Sequence, residues 1–144
     1  MSDNKYFDLH IQGIGYLSRA REVKPKRSTP FLAVDITAIH GPDDDIQKVR
    51  FDSKIAGAEA QKVIRDLMAE INDRDRKVLA AFKLGDLYVD QFTYEKGDRA
   101  GETGVSLKTR LLRLAWVKVD GEFVYRAPLQ EGAAPAAHEP AKAA

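Results

Sequence analysis

The strongest constraint on the fold of this chain is a change in the spacing of its apolar residues over one central segment. Between Gly57 and Asn72 the apolar residues recur at the spacing of an amphipathic helix: Ala60, Val63, Ile64, Leu67, Met68 and Ile71. On both sides of this segment, apolar and polar residues alternate at period two, as they do in strands. The sequence therefore predicts one helix between two groups of strands.

Three strands are predicted before the helix, over residues 6–23, 31–40 and 46–53. Gly13 and Gly15 interrupt the first of them. Glycine inside a strand indicates a bulge or a close approach of two backbones. We therefore expect the first strand to be long and bent, so that it can pass from one sheet into another.

Two long strands are predicted after the helix, over residues 77–94 and 105–119, and a polar loop with three glycines joins them. Asp120-Gly121 follows the second of these strands and favours a hairpin turn. Residues 123–125 would then return alongside the preceding strand as a short C-terminal hairpin.

Three strands, one helix and two strands describe a mainly β fold, the five-stranded antiparallel OB-fold barrel with its helix between strands three and four. Another small α+β barrel fits the same pattern, because hydrophobic periodicity does not determine strand pairing. At 144 residues the chain has the length of one domain. We assign that domain to residues 6–126, with a flexible N-terminus over 1–5 and a disordered, Ala- and Pro-rich tail over 127–144.

Charge and composition narrow the classes of function. The chain has 23 basic and 22 acidic residues, so any affinity for nucleic acid must come from where the charges lie. It contains no cysteine, which excludes disulfides and thiolate metal sites and fits a reducing cytoplasm. No apolar run reaches the roughly 18 residues of a membrane span. We therefore expect a cytoplasmic protein that does not contact membranes.

The sequence carries no legible enzymatic or metal-binding motif. The three histidines, His10, His40 and His138, lack metal-ligand spacing. The triplet Asp43-Asp44-Asp45 follows Gly-Pro and is better explained as a solvated turn than as an ion site. We expect no cofactor, no bound metal and no catalysis.

Short motifs mark the predicted strands around the helix. They are Gly15-Tyr16-Leu17, Glu22-Val23, Val34-Asp35-Ile36-Thr37 and the segment from Gly85 to Gly97. Their order and spacing resemble those of the bacterial single-stranded DNA-binding proteins, and Phe92 falls where that family carries a base-stacking tryptophan. Over residues 92–97 and 103–108 the chain is also similar to small replication-related proteins encoded on integrative and conjugative elements.

The resemblance implies binding of single-stranded DNA without strong sequence preference, in replication or transfer of a mobile genetic element. It also implies a homo-oligomer, a dimer or tetramer, and allows replication or conjugation proteins as partners. Two features depart from the family. The acidic C-terminal tip that recruits partner proteins is absent, and Trp116 on the fifth strand is the only tryptophan.

Positive charges gather in the two loops that flank the binding face of an OB-fold. The end of the first strand and the loop after it hold Arg19, Arg21, Lys24, Lys26 and Arg27. The loop between strands four and five, with the residues after it, holds Lys96, Arg99, Lys108 and Arg110. Such charges can track phosphates, although charged loops are also common on any soluble surface.

Aromatic rings are the second requirement for a sequence-tolerant binder. Phe92 and Tyr94 share one parity of the fourth strand and lead into the polar loop, so we expect both rings on one exposed face. Trp116 can equally stack on a base, pack in the core or lie in a subunit interface. Two alternatives stay open: RNA as the ligand, and a protein-interaction adaptor in a replication or conjugation complex.

Overall fold

The computed structural model describes residues 8–128 and folds them mainly into strands. In chain order the elements are β1 (His10–Val23), β2 (Phe31–His40), β3 (Gln47–Ile55), α1 (Ala58–Asp66), α2 (Met68–Ile71), β4 (Val78–Thr93), β5 (Thr103–Val119) and β6 (Glu122–Arg126). All five predicted barrel strands and the C-terminal hairpin are present. The predicted N-terminus over 1–5 and residues 129–144 of the predicted tail lie outside the described residues.

Strand pairing closes the sheet into a five-stranded barrel. β1 pairs with β2 and β4, β2 with β3, and β4 with β5, all antiparallel. β3 and β5 complete the ring through a parallel contact between Asp52–Ile55 and 108–111. The prediction of a purely antiparallel barrel is therefore wrong at this contact. An odd number of strands cannot alternate in direction all the way round a closed ring, so one neighbouring pair must be parallel.

The predicted single helix is two short helices in the structure. α1 ends at Asp66, and Leu67, with φ −107° and ψ 13°, separates it from α2. The predicted apolar face is retained, because Ala60, Val63 and Ile64 of α1 are buried together with Ile71 of α2. α1 packs on β5 and α2 on β1, so the connection from β3 to β4 contacts two strands that are distant in sequence.

Gly15 allows the backbone of β1 to lie close against that of β2. A Cβ atom at this position would lie 2.5 Å from the carbonyl oxygen of Thr37 and 2.8 Å from the Cα of Ala38. Both neighbours are backbone atoms, which cannot turn aside as a flexible side chain can. The close approach expected of a glycine in β1 is therefore confirmed here.

Aliphatic side chains fill the barrel, with Val34, Ile36, Leu84 and Leu111 completely inaccessible to solvent. One polar pair lies among them at the parallel contact, where the Ser53 and Thr109 hydroxyls are 2.6 Å apart. Each hydroxyl is the hydrogen-bond partner of the other. Within residues 8–128 no buried polar side-chain atom lacks a hydrogen-bond partner.

Two hairpins occur in the second half of the chain, one between β5 and β6 and one where β4 and β5 extend past Asp86. At Asp120-Gly121 both residues have positive φ, 51° and 89°, which confirms the predicted tight turn into β6. Beyond an irregularity at Asp86 (φ 60°), residues 88–93 of β4 pair with 103–108 of β5. We call this two-stranded ribbon, with its loop, the arm. Its exposed apolar side chains include Tyr88, Val89, Phe92 and Val105.

Within residues 8–128 the structure has no helix of the length and hydrophobicity that crossing a membrane requires.

Candidate nucleic-acid interface

One row of paired residues runs across the outside of the barrel and onto the arm. Ser18 of β1 pairs with Asp35 of β2, and Asp35 with Asp52 of β3. Asp52 pairs with Lys108 of β5, which pairs with Tyr88 of β4. Residues directly opposite one another in paired strands project to the same side of a sheet. The outside of β1, β2, β3 and β5 and one side of the arm therefore form a continuous surface, which we call the outer face.

A bulge in β1 directs two arginines onto this face. The β1–β2 register shifts between Ser18 and Arg21, where Arg19 adopts a φ of 50° that non-glycine residues rarely take. The Asn72 side chain fastens the bulge, because its amide accepts the Ala20 N–H at 2.8 Å and donates to the Ala20 carbonyl at 2.9 Å. The residue that follows α2 thus supplies the two hydrogen bonds that a neighbouring strand would otherwise make.

Five charged side chains form a connected network on the outer face. Arg19 and Arg21 donate to the two oxygens of Asp35, at 2.9 and 3.1 Å. Arg21 also donates to one oxygen of Asp52 at 2.8 Å, and Lys108 donates to the other at 2.8 Å. Because three cations surround two carboxylates, the network carries one net positive charge.

The two carboxylates of the network differ in exposure. Asp35 is 2% exposed, and its two ion pairs with Arg19 and Arg21 offset the cost of burying a carboxylate, which is strongly unfavourable without a partner. Asp52 is half-buried. Burial raises the pKa of Asp52, but hydrogen bonds and charge contacts with Lys108 and Arg21 outweigh it and hold that pKa below its usual value. Asp52 therefore stays ionised at neutral pH.

The two predicted stacking residues lie together near the tip of the arm. The Phe92 and Tyr94 rings meet edge to face, with their centroids 5.0 Å apart. Both rings cover Gly104, where an added Cβ would lie 2.5 Å from Phe92 Cζ. The Arg99 guanidinium lies 4.4 Å from the centre of the Tyr94 ring and donates to its hydroxyl at 3.2 Å. Phe92 is 39% exposed, so one of the rings is partly open to solvent.

The nine predicted cations separate into two groups. Five make ion pairs: Arg19, Arg21, Lys108, Arg99 with Glu102, and Arg110 with Asp86 at 2.6 Å. The other four are exposed and make no ion pair with any described residue: Lys24, Lys26, Arg27 and Lys96. The charge available to a ligand is therefore greatest in the loop after β1 and at the tip of the arm.

Trp116 is the candidate that the structure separates from the others. It lies near the far end of β5 from Gly104 and is only 9% exposed. Its ring packs edge to face on Phe123 of β6, with the centroids 5.7 Å apart. Trp116 is not among the side chains of the buried core cluster. Its ring contact therefore belongs to the C-terminal hairpin.

Sequence reasoning missed three cations of β3 that share the outer face. Lys48, Arg50 and Lys54 are exposed and alternate with the inward residues Val49 and Phe51. The Lys54 Nζ lies 4.8 Å from the centre of the Phe31 ring. The period-two pattern of the third strand was the signal that could have found them, because it puts alternate residues on the same face as Asp52.

No cluster of three or more histidine, cysteine or acidic side chains arranged to hold a metal ion occurs in the part of the chain that the structure describes. What the outer face offers is charge pairing, hydrogen bonding and ring stacking.

Comparison with known proteins identifies a family. No curated protein matches the chain, and no solved structure matches it. A family model described as "Protein of unknown function (DUF3577)" matches residues 1–133, which is most of the 144-residue sequence. The chain therefore belongs to the DUF3577 family.

Proposed function

We propose that this protein is a non-enzymatic OB-fold binder of single-stranded DNA that has no strong sequence preference and acts in replication or transfer of a mobile genetic element. The observation that carries the proposal is the pair of rings, Phe92 and Tyr94, which pack over Gly104 on the arm. The side of the arm that bears these rings is continuous with the outer face and its cations. The cellular setting rests on the sequence resemblance alone.

The strand order supports the OB-fold part of the proposal. The ring β1-β2-β3-β5-β4, with a helical connection between β3 and β4, has the five strands and the helix position of that fold. OB-folds bind oligonucleotides on the face of strands two and three, between the loop that follows strand one and the loop that follows strand four. In this chain those loops are residues 24–30 and the tip of the arm.

The chemistry of both regions suits a single strand. Sequence-tolerant binding needs flat side chains for the bases and positive charge along the phosphates. Phe92 offers an exposed ring, and an aromatic stack is worth about 1–3 kcal/mol per base. Lys24, Lys26, Arg27 and Lys96 have no acidic partner among residues 8–128, so a phosphate would not have to displace one.

Fluorescence titration of labelled oligo-dT against ring variants tests the proposal. Phe92→Ala should weaken binding roughly 5- to 150-fold, the equivalent of one lost base stack. Phe123→Ala is a matched control, because Phe123 is 38% exposed against 39% for Phe92 and lies on the other hairpin. Equal affinities for the Phe92→Ala and unaltered proteins would remove the ring pair from the site.

A second variant tests the basic loop. Lys26→Ala/Arg27→Ala should weaken binding to oligo-dT and lower its dependence on salt, because fewer counterions are released from the strand. A comparison of oligo-U with oligo-dT on the same protein distinguishes RNA from DNA as the preferred ligand, since only RNA offers a 2′-hydroxyl.

Oligomerisation is part of the proposal because several small faces in one particle raise affinity through effective concentration. Light scattering at micromolar protein should give the mass of a dimer or tetramer. A monomer mass would remove this part and leave the binding face intact.

The ion pairs favour one competing function, that of a protein-interaction adaptor. Arg19, Arg21 and Lys108 already have carboxylate partners, which reduces the charge open to phosphates. An adaptor would bind oligo-dT weakly, with no effect of Phe92→Ala, and would capture a replication or conjugation protein tightly.

A further inference from the structure

Two adjoining clefts lie beside the β1 bulge and share Arg19, Arg21 and Lys48 with the outer face. The first has a volume of about 620 Å³ between residues 17–21 of β1 and residues 71–76, which follow and include the end of α2. The second has a volume of about 470 Å³ and lies between Tyr16 and the ends of β2 and β3. Leu17 and Arg76 line both clefts, so the two form one groove.

The charged side chains that line the groove are mainly positive. Its cations are Lys48, Arg74, Arg76, Lys77 and the two arginines of the bulge, Arg19 and Arg21. The only acidic side chain among its lining residues is Asp73, one of whose oxygens accepts the Asp75 N–H at 2.9 Å. Lys48, Arg74 and Lys77 form no ion pair within residues 8–128. An anion in the groove would therefore meet cations that have no acidic partner to displace.

Arg19 and Arg21 connect the groove to the outer face. Both line the 620 Å³ cleft, and both donate to Asp35 on the outer face. The hydrogen bonds between Asn72 and Ala20 hold the two walls of the cleft together at this point. A chain of phosphates that crosses the outer face toward β1 would reach the groove at the bulge.

We propose that this groove is a second subsite for the same single strand and takes the sugar–phosphate backbone of the part that leaves the outer face. The inference rests on the proposed function. Its ligand class is a phosphodiester chain, which the groove cations contact along the backbone, while the rings of the arm stack on bases. The strand would thus wrap round the barrel from the arm to the segment after α2.

The test compares two oligonucleotide lengths on one double variant. Arg74→Ala/Lys77→Ala removes two exposed groove cations that form no ion pair with described residues and do not lie on the outer face, so its melting temperature should equal that of the unaltered protein. Lys62→Ala/Arg65→Ala removes two exposed cations from α1 and is the charge-matched control. The ligands are oligo-dT of about 4 and about 16 nucleotides, the range of site sizes for one OB-fold.

We expect the groove variant to lose roughly 2- to 30-fold in affinity for the longer strand, with little change for the shorter one. Its salt slope on the longer strand should fall by about 0.7 for each phosphate that the variant no longer neutralises. Unchanged affinity for the longer strand, or an equal loss in the control, would overturn the groove and leave the proposed function standing. Failure of the unaltered protein to bind either length would overturn both.

Discussion

At the scale of single residues, the acidic side chains of the outer face matter as much as the cations. Asp35 and Asp52 hold Arg19, Arg21 and Lys108 in defined positions and also compete with any phosphate for them. Asp52 is the more accessible of the two carboxylates. Its ion pairs with Arg21 of β1 and Lys108 of β5 connect those two strands. Substituting Asp52 therefore tests which effect matters more for binding: that the carboxylate holds the cations in position, or that it neutralises their charge.

Asp52→Asn should raise the affinity for oligo-dT, because it removes a negative charge from the outer face and releases Arg21 and Lys108 toward the ligand. An increase of about 1.5- to 5-fold at low salt corresponds to one exposed ion pair. Asp66→Asn on α1 removes the same charge away from the face and controls for net charge. Fluorescence titration would contradict the account if both variants bound equally tightly.

Asp52 also makes stability depend on acid. Because its folded-state pKa lies below the usual value, which is about 3.9, its ion pairs stabilise the fold at all pH values above that. The stabilisation is lost as the pH falls from about 3.9 through the lower folded-state pKa. Asp52→Asn should have a free energy of unfolding up to about 1 kcal/mol below that of the unaltered protein at pH 7, as measured by urea denaturation. A stability difference that is the same at pH 3 and pH 7 would contradict this.

At the scale of elements, the bulge of β1 and the arm are the two devices that shape the proposed site. The bulge depends on Asn72, and the ring pair depends on Gly104. One substitution disturbs each of them: the change at Asn72 should lower stability, and the change at Gly104 should lower affinity for oligo-dT.

Asn72→Ala should lower the free energy of unfolding by about 1–3 kcal/mol, because it leaves the N–H and C=O of Ala20 without their partners. Asn72→Asp retains the acceptor and loses the donor, so its loss of stability should lie between those of the other two proteins. Urea denaturation measures all three. Equal stability of Asn72→Ala and the unaltered protein would show that the bulge does not need this side chain.

Gly104→Ala should weaken binding to oligo-dT with little loss of stability. Its Cβ would lie within 3 Å of both the Phe92 and Tyr94 rings and would displace them, and the arm lies largely outside the core. Gly15→Ala is the contrasting variant, because its Cβ meets the backbone of Thr37 and should cost about 1–3 kcal/mol. Thermal unfolding and titration together distinguish the two, and a Gly104→Ala protein with full affinity would argue against a role for the rings.

At the scale of the whole molecule, the order of strands and helix was predictable, because hydrophobic period is a local property. The bounds of β2 and the Asp120-Gly121 turn followed from the same local signals. The parallel contact between β3 and β5 was not predictable in this way, since it arises from closure of the ring.

The candidate site was predictable in part for the same reason. The shared face of Phe92 and Tyr94 follows from parity within one strand. The partner of Arg21 does not, because Asp52 lies 31 residues away on another strand. The groove likewise depends on β1 meeting the segment after α2, which no local pattern indicates.

The central claim is that the outer face binds a single strand through charge and stacking, and one titration tests it most directly. Labelled oligo-dT and a duplex of equal length are each titrated with the unaltered protein at two salt concentrations. The account predicts tighter binding to the single strand, with an affinity that falls as salt rises. Binding to the duplex that equals or exceeds binding to oligo-dT, or no binding to oligo-dT at the lower salt concentration, would contradict it.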